Sequence, residues 1–194
     1  MSKIVPTPSI SEVERYLQKW DSLENYVLQE NALNKLFYDI CPNNTDVSDI
    51  LIKCSTLNDF YSTNIFSIFT VAKHIHELNI DDRLRKGDLS LVNDIASVRI
   101  NDKQKYFYSF ASKYCSHHNP KAYAIYDSYV DKCLIYFKKI DKFSDFRQEE
   151  LKDYEVFNRV LNDFKAFYGL NKYSLKDIDR YLWQLGKDYF PKKY

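Results

Sequence analysis

Apolar residues recur at three- and four-residue spacing along most of the chain, and short polar or proline-containing stretches interrupt them. That rhythm predicts helices. Ser11-Glu12-Val13-Glu14 is a capping-box pattern that opens a first helix towards Trp20. Ser22 begins a longer one carrying Leu23, Val27, Leu28, Leu33, Leu36, Phe37 and Ile40, and Cys41-Pro42-Asn43-Asn44 ends it. Asp46 or Ser48 caps a short apolar helix, Ile50 to Cys54, that stops around Leu57-Asn58. Ile65, Ile68, Phe69, Ala72 and Ile75 form one stripe of a helix over Ile65–Leu78. Residues 81–87 read as a charged connection. Asp88 caps a helix over Leu89–Val98, and Asn101 or Asp102 opens the next, with Tyr106, Phe107, Phe110, Ala111 and Tyr114.

Pro120 ends that helix, and Asp127 or Ser128 supplies the N-cap oxygen for another that runs to Ile140. Ser144 starts a long helix through Tyr168, stopped by Gly169 as the C-cap residue. Ser174 to Asp177 is a second capping-box start, for a helix with Ile178, Tyr181, Leu182, Trp183 and Leu185. No segment alternates long enough to predict a strand. The expectation is an all-α fold: a loose lead-in over 1–8, with Pro6 and Pro8, then a single compact domain over 9–194 of about nine helices.

Composition sharpens this picture. Aromatic residues make up 16% of the chain, with only 3 Gly and 5 Pro, which favours long helices with short connections and excludes a disordered chain. No stretch approaches about 20 apolar residues and the N-terminus has no signal-peptide pattern, so a cytoplasmic protein is expected. Cys41, Cys54, Cys115 and Cys133 show no CxxC pairing, which favours buried reduced thiols. Cys115 with His117-His118 is a poor metal constellation, and His74 and His76 read as surface or core residues. No metal or other cofactor is expected. Residues 1–97 hold 9 Lys and Arg against 14 Asp and Glu, a net −5, whereas residues 98–194 hold 19 against 13, a net +6. The basic half permits a polyanionic partner.

Within that half, Lys103 to Val130 resembles the heart of the helix-hairpin-helix DNA glycosylase superfamily, the endonuclease-III-type and 8-oxoguanine-type enzymes. There a glycine hairpin runs into a helix through K-T-A, and a short loop leads to V-D-T-H-V. Ala111 falls on the Ala of K-T-A, and Tyr126-Asp127-Ser128-Tyr129-Val130 on V-D-T-H-V, without a gap. The short helix Ile50–Leu57 followed by Asn58 is similar to the family's helix that pushes a polar residue into the DNA stack. The late helix with Trp183 and Gly186 is compatible with its closing helix, which would extend the likeness over roughly residues 45–190.

The resemblance implies DNA binding and base excision. Asp127 would be the catalytic carboxylate, stabilising positive charge on the sugar and orienting the attacking water. A flipped base is held between aromatic faces. Tyr61, Tyr126, Tyr129 and Trp183, with Phe60, are the candidate walls, and Asn58 the wedge. The hairpin glycines are replaced by Lys103-Gln104-Lys105-Tyr106-Phe107, so Lys103 and Lys105 side chains would grip phosphate instead. The lyase lysine falls on Ser109, whose hydroxyl forms no imine. Lys113, one turn on, is the candidate substitute. Lys138, Lys139 and Lys142 form a further basic cluster for phosphate. Each of these residues has a plainer role open to it: N-cap for Asp127, helix stop for Asn58, core packing for the aromatics, solvated helix ends for the lysines. The alternative function is a helical DNA-binding or protein-interaction module that keeps the fold without the chemistry.

Overall fold

The computed structural model describes residues 4–191. In chain order it has α1 (Ile10–Asp21), α2 (Glu24–Asn34), a π-helical turn (Lys35–Ile40), α3 (Val47–Phe60), α4 (Ile68–Glu77), α5 (Asp81–Lys86) and α6 (Leu91–Ala96). The strands β1 (Ser97–Ile100) and β2 (Lys103–Tyr106) follow, then α7 (Tyr108–His118), α8 (Ser128–Asp141), a 3-10 turn (Gln148–Lys152), α9 (Tyr154–Phe167) and α10 (Leu175–Tyr189). The fold is all-α, with ten α-helices and one small hairpin among the described residues. No helix there is long and apolar enough to cross a membrane. Two compact units divide the chain: Met1–Glu24 with Tyr126–Tyr194, and Asn25–Ile125.

In the first unit α10 packs against both α1 and α8. Its core positions Ile178, Tyr181, Leu182 and Leu185 follow helical spacing, and Val13 and Tyr16 of α1 and Val130, Cys133, Leu134 and Phe137 of α8 are buried with them. The capping box at Ser174 and Asp177 forms as expected. Gly169 ends the segment after α9 with φ +67°. Gly186 permits a close approach of α10 to the first turn of α8. A Cβ there would lie 2.6 Å from the Tyr129 Cβ and 2.9 Å from the Tyr129 carbonyl oxygen. α1 is capped by Ser9, two residues before the expected box. The helix expected to start at Ser144 starts at Tyr154, capped by Asp153. Ser144 instead donates to Asp163 Oδ2 at 2.6 Å, and the 3-10 turn intervenes.

In the second unit α7 is buried on nearly every side, from Phe110 through His117, and packs against α3 and α6. The helix expected from Asn101 begins seven residues later. Asn101 and Asp102 both adopt left-handed backbone, φ 46° and 59°, which makes them a two-residue hairpin turn. Ser97 pairs with Tyr106 and Ile100 with Lys103. Four-residue strands, of which only Val98 is buried, carry too little alternation to register in the sequence. Residues 81–86 are a helix rather than a connection, anchored by buried Leu84 and closed by Gly87 at φ +69°.

Asn58 does not stop α3. It lies inside the last turn and holds the following loop. Its Oδ1 accepts from Ile65 N (2.9 Å) and Thr63 Oγ (2.7 Å), and its Nδ2 donates to Ile65 O (3.1 Å). All four cysteines are buried and free, and burial pushes each thiol up from its ordinary pKa.

Candidate functional site

Asp127 belongs to the first unit. Its backbone is extended (φ −139°, ψ 152°), and its Oδ1 accepts from Tyr129 N at 2.8 Å. The carboxylate therefore sits at the positive end of α8, where a helix dipole favours an anion. The contact between Tyr129 and Gly186 brings this first turn of α8 onto α10, one helical turn from Trp183. Tyr129 is half-buried, with Lys132 Nζ 5.5 Å from its ring centre. Trp183 is half-buried as well. It packs edge-on against Trp20 at 5.9 Å, with Lys187 Nζ 4.3 Å above its ring.

Tyr126 is not an open wall. It is 5% exposed, its hydroxyl donates to Asp131 Oδ1 at 3.0 Å, and its ring meets Phe157 edge-on at 5.3 Å. Lys138 turns back on its own unit, donating to the Phe146 carbonyl, with Nζ 4.8 Å from that ring centre. Lys139 and Lys142 are exposed at the end of α8, where Lys142 is the left-handed cap residue.

The remaining candidates belong to the second unit. Lys113 is 2% exposed, and its Nζ donates to Ser109 Oγ at 2.6 Å. The helical turn that separates them in sequence thus joins them in space. Lys113 Nζ also lies 5.1 Å from the Tyr61 ring centre, and the Tyr61 hydroxyl shares a 2.9 Å hydrogen bond with His117 Nε2. Asn58 is spent on its loop, so the side chain expected to act as a wedge makes three internal hydrogen bonds. Lys103 and Lys105 are exposed on β2.

The sequence reading missed one cluster in this unit. Lys53 is completely buried, and its Nζ donates to Cys41 O (3.0 Å), Asn43 O (2.9 Å) and Asn44 Oδ1 (2.7 Å). His118 Nε2 lies 3.3 Å away. Asn44 is held in turn, its N and Nδ2 donating to the two Asp81 oxygens at 3.0 and 2.6 Å. Burial lowers the Lys53 pKa to about 8 against the opposing pull of Asp81, and pushes His118 well below the ordinary histidine range. His118 is thus a neutral imidazole beside a buried ammonium. It lines a cleft of about 530 Å³ with Pro42, Asn43, Asp81, Leu84, Arg85 and Asn119. The signal lay in the apolar run Ile50–Leu57: Lys53 stands three residues after Ile50 and four before Leu57, on the buried stripe. Among the described residues no group of three or more His, Cys, Asp or Glu side chains is placed to hold a metal ion.

A family model described as HI_0787_N, N-terminal domain, matches residues 12–122, and the chain belongs to this family. An "Uncharacterized protein" of Haemophilus influenzae (strain ATCC 51907 / DSM 11121 / KW20 / Rd) is 51% identical over 151 residues, covering 77% of this chain and 72% of that protein. No solved structure matches the chain.

Proposed function

We propose that this member of the HI_0787_N family is a cytoplasmic DNA-binding protein that excises a modified base hydrolytically, with Asp127 as the catalytic carboxylate. The observation that carries the reading is the placement of Asp127: an anion fixed at the mouth of α8, on the turn that meets α10 near Trp183. Departure of the base leaves positive charge on the deoxyribose, and a fixed carboxylate stabilises that charge and orients water towards C1′. Tyr129 and Trp183 are the aromatic faces to which the flipped base is assigned. Ser109 forms no imine, and Lys113 is tied to it, so the product is an intact abasic strand.

A second reading, a helical module that binds DNA or protein without chemistry, is favoured by the same residue. Capping α8 is a sufficient reason for an aspartate at position 127. Base release from a panel of damaged duplexes, followed by hot alkali, separates the two. The Asp127→Asn variant keeps a good N-cap side chain, so it folds. Release by the wild type that is abolished in this variant supports excision. Duplex binding without release, equal in both proteins, supports the module.

A further inference from the structure

The cleft beside Lys53 and His118 takes no part in the proposed excision, and every residue in its wall belongs to the second unit. Lys53 has no need of a histidine there. Its three protons already meet three oxygens, those of Cys41, Asn43 and Asn44. His118 Nε2 is a fourth neighbour at 3.3 Å, and beside a group that only donates it can only accept. The proton of the neutral ring is therefore on Nδ1. That N–H has no hydrogen-bond partner among the described residues and is not sealed from solvent, so it is a donor open to the cleft. The ammonium behind the ring polarises it and strengthens that donor.

Arg85 adds charge to the same wall. It lies four residues after Asp81 on α5, so the two side chains rise from one face, about 5–6 Å apart at Cβ. Arg85 is paired with Asp82, but both side chains are largely exposed, 69% and 75%, and a ligand displaces such a pair at little cost. Asp81 supplies the opposite sign. Each of its oxygens accepts one hydrogen bond from Asn44 and keeps a further lone pair. Asn119 Nδ2 donates to Leu84 O at 2.9 Å, which leaves Asn119 Oδ1 an acceptor with no protein donor among the described residues.

We infer that this cleft binds a small zwitterion, a molecule carrying one carboxylate and one ammonium group as amino acids and dipeptides do. The carboxylate is taken by the Arg85 guanidinium and the His118 Nδ1–H, and the ammonium by Asp81 and Asn119 Oδ1. A simple anion would face the Asp81 carboxylate, and a simple cation would face Arg85. A ligand with both signs satisfies both. The volume of about 530 Å³ is that of a small-molecule site and leaves room beyond the charged ends, against Pro42 and Leu84.

The test is NMR of the full chain with ¹⁵N-labelled histidine rings, the His118 signals being those lost in His118→Gln. The protein is titrated with glycine, γ-aminobutyrate and glycylglycine, whose two charges stand progressively further apart. Acetate, methylammonium and inorganic phosphate are the controls of a single sign. The free protein is expected to carry its His118 proton on Nδ1. At least one zwitterion should shift that ring saturably, at about tenfold lower concentration than any control. Arg85→Gln should weaken this binding by about tenfold or more, through loss of a charged hydrogen bond. Arg99→Gln removes an arginine of similar exposure, 72%, from the same unit and should leave it unchanged, with melting curves verifying both folds. A proton on Nε2, or no saturable shift from any zwitterion, overturns the inference. So does a control that binds as tightly, which marks a plain ion site, or an Arg85→Gln protein that binds like wild type. Base release is read in a separate assay, so none of these outcomes alters the test of Asp127.

Discussion

Gly186→Ala is the most informative single change for the first unit, because it adds one methyl group where two helices touch. The new Cβ would lie 2.6 Å from the Tyr129 Cβ and 2.9 Å from its carbonyl oxygen. Carbon atoms prefer about 3.5–4.0 Å, so α8 and α10 must part by about 1 Å. Neither contact atom is the end of a flexible side chain that can swing away. Overpacking of this kind costs about 1–3 kcal/mol, and a backbone obstacle argues for the upper end. Alanine returns about 1 kcal/mol through its better helix propensity.

The net expectation is a loss of about 2 kcal/mol, which lowers the melting temperature by roughly 4–8 °C at this chain length. Gly169→Ala is the companion variant: no atom lies within 4 Å of its Cβ, but its φ of +67° is left-handed. It isolates the conformational cost, about 1–2 kcal/mol. Calorimetry of the two variants checks both figures. A Gly186→Ala protein as stable as wild type would refute the close-contact argument.

Three further outcomes are expected. Below about pH 6.5 the unfolded chain takes up a proton at residue 118 that the fold refuses, so stability falls with acidification. The slope is up to about 1.4 kcal/mol per pH unit, and urea midpoints at about pH 5.5 and about pH 7.5 for wild type and His118→Gln will separate that contribution from the carboxylates. Lys53 acts in the same direction in an alkaline window. Its folded pKa of about 8 lies below the ordinary 10.5, so the unfolded chain binds more protons between those values and the Lys53 contribution to stability rises with pH. Relative to Lys53→Gln, wild type should gain up to about 1.4 kcal/mol per pH unit above about pH 8; a constant gap would show that the ammonium is well solvated. Asn58→Ala removes three hydrogen bonds from the loop over residues 61–65. It should cost about 1–3 kcal/mol, read as faster hydrogen exchange at the Ile65 amide.

What the sequence made legible follows from how local each signal is. The Asp127 and Ser174 caps and the Gly169 stop depend on a few adjacent residues, and all three form where expected. The β1–β2 hairpin escaped because its turn is Asn-Asp rather than Asn-Gly and its strands are short. The juxtaposition of the α8 cap with α10 depends on Gly186, and one helical glycine does not announce which helix will meet it. Lys53 was visible as a lysine on an apolar stripe, but its three oxygen partners come from a loop whose path no local rule dictates. Tyr126 and Asn58 show the converse: residue types suited to a ligand are consumed by internal hydrogen bonds.

The four silent thiols turn the two units into separately readable clocks. A thiol reacts as its thiolate, and burial here both hides the sulfur and disfavours its ionisation. Cys133, which donates to Leu182 O at 3.3 Å across the α8–α10 contact, is the one cysteine of the first unit, whereas Cys41, Cys54 and Cys115 all belong to the second. Modification by a disulfide reagent must therefore await opening of the unit concerned, and mass spectrometry assigns each event to its position. The native sequence, with no added label, reports whether the units open together or in turn.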